Sequence, residues 1–213
     1  MMKSNTWSEF LIRHIAVLFF VGSVCLFRVS FTGELGFEVN VPADFGADVF
    51  QKIWERAQSL GACLYGTETM HVLRAEKGYI IVGQETDGTV TPDDVGLSWA
   101  IGKAKPDFVG KRSLARPAMA APDRKQLVGL RSKDGRSVLE EGAQVVAPSA
   151  PGTPIGHVTS SYYSAVLDAP IALALVRGGR ARMGETLHIP MPGGAIPVEI
   201  VQPVFLDPEG TRV

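Results

Sequence analysis

Residues 27–41 read FRVSFTGELGFEVNV and residues 65–92 read YGTETMHVLRAEKGYIIVGQETDGTVTP; these two stretches, with the segment between them, decide the fold. From Phe27 to Phe31 apolar and polar residues alternate, the period of a half-buried strand. Thr32-Gly33-Glu34-Leu35-Gly36 supplies turn chemistry, with two glycines free to take positive φ. Phe37, Val39 and Val41 then resume the alternation and leave Glu38 and Asn40 on the opposite face. The pattern predicts a hairpin, closed by Pro42, with Asp44 as N-cap of the helix beyond. On that helix Phe45, Val49, Phe50, Ile53, Trp54, Ala57 and Leu60 recur at three- and four-residue spacing, a stripe expected in a core, and Gly61 stops it. A second helix is predicted over 67–77, with Met70, Leu73 and Arg74 near one face and Gly78 at its end. A strand is expected over 79–82, followed by a polar loop bearing Glu85 and Asp87.

Downstream, Arg116 to Arg124 (RPAMAAPDR) has two prolines and little patterning, and the domain boundary is placed there. Beyond it come KQLVGLR, AQVVA, GHVTSSYYS, IALALVR, ETLHI and IPVEIV, short runs separated by Gly/Pro turns, which argue for an all-β barrel or sandwich. The expected class is α+β: a hairpin-and-helix region over 27–115, then a C-terminal all-β barrel over 124–213, with an unmatched apolar segment over 1–26. In that first segment the run from Ile15 to Phe27 is shorter than the roughly 20 residues a membrane span needs. It resembles a signal peptide in its basic flank and apolar middle, but no A-x-A cleavage pattern follows. A buried strand, or the ill-fitting start of a truncated chain, is the preferred reading, and a membrane role is not expected.

The 213 residues carry a net charge of −1, with no Lys/Arg stripe, so no nucleic-acid footprint is expected. Two isolated cysteines, Cys25 and Cys63, argue against a disulfide framework and for a reducing cytoplasm. Four scattered histidines show no metal-ligand spacing. The carboxylates Glu85, Asp87, Asp93 and Asp94 lack EF-hand spacing and read as a solvated loop rather than a cation site. Dinucleotide, P-loop and nucleophile-elbow signatures are absent. Arg177-Gly178-Gly179-Arg180 reads as a surface turn between barrel strands.

The residues 31–38, FTGELGFE, resemble the Y-[ST]-G-E-x-G-[FY]-E signature of the aminomethyltransferase (glycine-cleavage T-protein) family, and Leu73 to Gly78 resembles that family's LRLEAG segment. A closer resemblance is to the carboxy-terminal region of the alpha subunits of heterotetrameric sarcosine oxidases, through 66–92, through GHVTSSYYS at 156–164 and through the ending PVFLDPEG. The stretch 77–85 is also similar to the KGC-x-x-GQE signature of folate-binding iron–sulfur assembly proteins, with Tyr79 in place of the cysteine.

The resemblance implies tetrahydrofolate as cofactor, with flavin and NAD only on parts of a parent enzyme that this chain lacks. Glu38 matches the glutamate that reads the pterin ring, where a carboxylate accepts two parallel N–H bonds; it is expected to project into a dry pocket. Phe31 matches the hairpin tyrosine and keeps its stacking face without the hydroxyl. Tyr79 falls where the family places another aromatic contact. The family's folate-contacting arginine aligns with Met70, and Arg74 is a candidate to compensate. The family's catalytic aspartate lies upstream of the hairpin, so no catalytic residue is assigned, and the chain reads as a carboxy-terminal fragment inactive in oxidation by itself. The expected partners are tetrahydrofolate and other sarcosine oxidase subunits. The alternatives are a non-catalytic binding or assembly module of the same fold, or a glycine-cleavage aminomethyltransferase, for which no lipoyl-protein docking surface is identified.

Overall fold

The computed structural model describes residues 24–211, which fall into two compact units divided between Gly66 and Thr67. In the first unit β1 (Cys25–Phe27) and β2 (Glu38–Asn40) form an antiparallel pair, with Cys25 opposite Asn40, Leu26 opposite Val39 and Phe27 opposite Glu38. The hairpin therefore exists, but its first strand lies upstream of the expected 27–31. The reason is local: residues 28–37 close on themselves as a loop. Ser30 Oγ donates to the Glu34 carbonyl at 2.6 Å, Gly33 takes φ +78°, and a Cβ on Gly36 would sit 2.7 Å from the Val29 carbonyl oxygen. A short 3-10 turn (Ala43–Phe45) leads into α1 (Gly46–Gln58). Its apolar stripe is less buried than expected: Val49 is buried, whereas Phe50 and Ile53 are 53% and 45% exposed.

In the second unit α2 (Thr67–Glu76) ends where Gly78 adopts φ +67° and the Tyr79 amide donates to the Arg74 carbonyl at 2.9 Å. The strand expected over 79–82 does not form; Val82 makes one isolated bridge to Thr86 and is 86% exposed. The segment turns back instead, the Gln84 and Glu85 amides both donating to the Ile81 carbonyl. Among the described residues no helix is long and apolar enough to cross a membrane.

Two short helices, α3 (Lys111–Leu114) and α4 (Pro117–Ala120), precede six strands: β3 (Lys125–Ser132), β4 (Gln144–Val146), β5 (Pro154–Ser164), β6 (Ala169–Arg177), β7 (Thr186–Ile189) and β8 (Ile196–Val201). They close an antiparallel barrel in the order β3-β6-β5-β4-β7-β8. The six runs picked out from the sequence are these six strands, and the class is α+β with a C-terminal barrel.

Strand β6 is buried on both faces. Ala172, Ala174 and Val176 point into the barrel with Val128, Leu130, Val158 and Leu187. Ile171, Leu173 and Leu175 point out and pack with Ala75 of α2, Tyr162 and Phe205. On this strand the smaller residues face the barrel interior, and the larger ones face the outer wall where the helix lies. On β5 the register shifts between Val158 and Ser160. Val158 faces inward, and strict alternation would turn Ser160 inward too; the bulge at Thr159 instead turns Ser160, Tyr162 and Ser164 to the outer wall.

Candidate functional site

Glu38 lies at the start of β2 and is exposed. Among the described residues no dry pocket encloses it, and the ladder that holds it is three residue pairs long. Its directly opposed neighbour is Phe27, 52% exposed, so an aromatic ring does share its face of the ladder. Sequence reasoning missed Phe27 because it placed the first strand's pairing further downstream. Phe31 sits in the loop, 38% exposed. Inside that loop, Arg28, Val29, Ser30, Leu35 and Gly36 line an open cleft of about 300 Å³. In the second unit Tyr79 is 37% exposed, and Met70 is half-buried on α2.

Arg74 has a different environment from the one expected of a ligand contact. It is fully buried, and its two terminal nitrogens are taken by the protein. Nη1 donates to the Tyr79 carbonyl at 3.0 Å and to Glu85 Oε2 at 2.9 Å; Nη2 donates to Gln84 Oε1 at 2.8 Å and to Ser160 Oγ at 2.6 Å. The Ser160 hydroxyl in turn donates to Glu85 Oε1 at 2.5 Å, the Ile81 amide donates to Glu85 Oε2 at 2.8 Å, and the guanidinium lies 5.8 Å from the Tyr162 ring centre. Glu85 is wholly buried, although sequence reasoning placed it in a solvated acidic loop and at the end of the GQE-like stretch without a structural role. Arg74 therefore acts on Tyr79 only through the backbone carbonyl it holds.

The same helix end makes two further buried attachments. Ser164 Oγ donates to Glu76 Oε1 at 2.5 Å, and the Glu76 carbonyl accepts the Phe205 and Leu206 amides. Lys77 Nζ donates to the Asp207 carbonyl and to Asp207 Oδ2, both at 2.8 Å. LRAEKG, VTSSYYS and PVFLDPEG are thus three sides of one polar joint between α2, the outer face of β5 and the chain end. The hydrogen bonds named here are all internal to the protein, while Arg74 Nε and Glu76 Oε2 are buried in the joint without a partner among the described residues.

The acidic loop is likewise partly structural. Asp94 is buried and accepts from Arg124 Nη2 at 2.6 Å and from the Thr91 amide and hydroxyl at 2.7 and 2.9 Å. Burial pushes its carboxyl up, but the Arg124 and Thr91 hydrogen bonds outweigh burial and hold it below the usual carboxylate range. A depressed folded-state value stabilises above the unfolded pKa and is lost as pH falls through the folded one. The stability advantage of wild type over Asp94→Asn is therefore expected to be full near neutrality and to shrink below about pH 4, the unfolded carboxylate range. Denaturation midpoints of both proteins from pH 7 to pH 3 check this; a constant difference would contradict it. Among the described residues no three His, Cys, Asp or Glu side chains gather into a metal-binding group.

Residues 9–105 match the GCVT N-terminal domain, and residues 125–207 match the glycine cleavage T-protein C-terminal barrel domain, the second match coinciding with the closed barrel. The chain belongs to the glycine-cleavage T-protein family. The first match begins at residue 9, upstream of the boundary at 27 expected from the motifs; residues 9–23 lie outside the described residues.

Within the family, the chain is 48% identical over 190 residues to the sarcosine oxidase subunit alpha of Corynebacterium sp. strain U-96, covering 87% of this chain and 20% of that one. The corresponding subunit of Rhizobium meliloti is 42% identical over 89% of this chain and 20% of its own. The aminomethyltransferase of Halothermothrix orenii is 34% identical over 86% of this chain and 50% of its own. The crystal structure of the glycine cleavage system aminomethyltransferase T from Bartonella henselae superposes with a TM-score of 0.75 at 25% identity, covering 85% of this chain and 49% of that one. The T-protein-type chain thus spans about a fifth of the sarcosine oxidase subunits and about half of the aminomethyltransferases that it matches.

Proposed function

We propose that this chain is the folate-handling part of a sarcosine-oxidase-type alpha subunit working in the cytoplasm with its partner subunits. In such an enzyme flavin chemistry oxidises the N-methyl group of sarcosine to an imine. Tetrahydrofolate then takes the one-carbon unit as 5,10-methylenetetrahydrofolate and leaves glycine. No residue of this chain is assigned to flavin or dinucleotide. Its part is to bind and orient the folate, a proximity effect that asks for no proton transfer from the chain's own side chains.

The observation that supports this reading is an exposed carboxylate, Glu38, fixed opposite an aromatic ring by a hairpin ladder in a T-protein-family chain. A carboxylate can accept two N–H bonds from the pterin's amino group and ring nitrogen, and Phe27 or Phe31 offers a flat apolar face for the ring. Because Glu38 starts in water, the ligand itself must exclude solvent from the pair, which makes the expected binding weak. Tyr79 and Met70 are assigned as folate contacts through the family resemblance, and Arg74 as a positioning residue for Tyr79.

Titration of the chain with folinic acid by calorimetry tests the reading. Wild type is expected to bind, and Glu38→Ala to lose roughly ten- to a hundredfold in affinity, the worth of a charge-assisted bidentate contact. The same substitution is expected to leave stability within about 0.5 kcal/mol, because the side chain is exposed. Absence of binding in both proteins would instead support a structural or assembly role.

A further inference from the structure

The cleft inside the 28–37 loop is not needed for reading a pterin at Glu38, yet it has the chemistry of a second contact. Its walls are Val29 and Leu35, apolar residues left 43% and 49% exposed, and Arg28 contributes a cation at its rim. Neither Arg28 nor Glu38 takes part in any of the ion pairs among the described residues. The floor is bare backbone at Gly36, where any side chain would strike the Val29 carbonyl. Gly36 is two residues from Glu38, about 7 Å along an extended chain. The loop and strand therefore offer, in sequence, a cation, an apolar slot and a carboxylate.

A ligand that donates hydrogen bonds at one end, is flat and apolar in its middle and carries carboxylates at the other matches that order. We infer that Arg28 and the cleft walls hold the aminobenzoylglutamate tail of the folate, with Arg28 on a tail carboxylate and Val29 and Leu35 against the benzoyl ring. This rests on the folate reading above. The charges also fix the ligand's direction: a tail carboxylate is repelled from Glu38 and drawn to Arg28, and the reverse placement satisfies neither end. Since Arg28 is exposed, the contact weakens with ionic strength.

The test uses the full chain and three probes: folinic acid, p-aminobenzoylglutamate, and a tetrahydropterin lacking the tail. Arg28→Met is expected to weaken folinic acid and p-aminobenzoylglutamate each roughly three- to tenfold at low salt, with the tetrahydropterin unchanged and Arg28→Lys recovering part of the loss. The inference is overturned if Arg28→Met changes neither tailed probe, or weakens the tetrahydropterin as much. Binding of the tetrahydropterin without any binding of p-aminobenzoylglutamate sinks the tail site and leaves the pterin site standing. The opposite pattern, with Arg28 required, sinks the pterin site and leaves the tail site.

Discussion

Arg74→Met is expected to cost about 3–5 kcal/mol, the usual penalty for removing one partner of a buried ion pair. The mechanism is the stranding of Glu85. That carboxylate is wholly buried, and without the guanidinium it keeps only the Ser160 hydroxyl and the Ile81 amide. The Tyr79 carbonyl and the Gln84 side chain lose their donor in the same step. Arg74→Lys should recover little, because a single ammonium cannot reach acceptors spread over the 79–85 turn and β5 as a planar fork does. Arg74→Met combined with Glu85→Leu should be less damaging than Arg74→Met alone, because no charge is then buried without a partner. Urea midpoints measure the loss, and amide exchange at Ile81 shows whether it begins at the joint. A loss below about 1 kcal/mol, typical of a substitution in an unstressed position, would contradict the account.

Gly78→Ala is expected to cost about 2–5 kcal/mol, summing a left-handed conformation for a residue with a side chain and an overpacked contact. Gly78 has φ +67°, and a Cβ there would lie 2.5 Å from the Pro203 carbonyl oxygen and 2.9 Å from its carbon. Both atoms are backbone, so no side chain can rotate away. The glycine lets the helix end turn against the segment that delivers Phe205 and Leu206 to the Glu76 carbonyl. Gly83→Ala is the matched control: its φ is +99°, but no atom lies within 4 Å of the added carbon. The control keeps the conformational cost and drops the collision. Equal midpoints for the two variants would show that the Pro203 contact is unimportant.

The barrel was legible in the sequence because each of its strands is a short apolar run bounded by Gly or Pro, and the IALALVR run reads as a strand whichever face it buries. The helix ends were legible through Gly61 and Gly78. Four things were not. The bulge at Thr159 has no signature in VTSSYYS, yet it decides which serines meet the helix. The Ile80-Ile81-Val82 run has strand composition, but Glu85 captures the Ile81 amide and folds the segment into a turn, leaving Val82 in solvent. Arg74 reads from the sequence as a candidate folate contact in place of the arginine lost at Met70, whereas side-chain partners of its guanidinium lie 10, 11 and 86 residues away, separations that no periodicity encodes. The hairpin's register differs for a related reason: Phe27 to Phe31 alternates as a strand would, but the Ser30–Glu34 hydrogen bond and the close approach of Gly36 to Val29 close residues 28–37 into a loop.

The motifs that resemble the family most closely thus divide into two kinds. LRAEKG, VTSSYYS and PVFLDPEG form the joint of helix to barrel, and the hairpin presents an exposed carboxylate, Glu38. A crystal structure of the full chain grown with folinic acid tests that division most directly. The account predicts both Glu38 carboxylate oxygens within about 3.2 Å of the pterin's amino group and ring nitrogen, the range of a hydrogen bond. A bound pterin that leaves Glu38 in solvent, or sits against the Arg74–Glu85 joint instead, would contradict it.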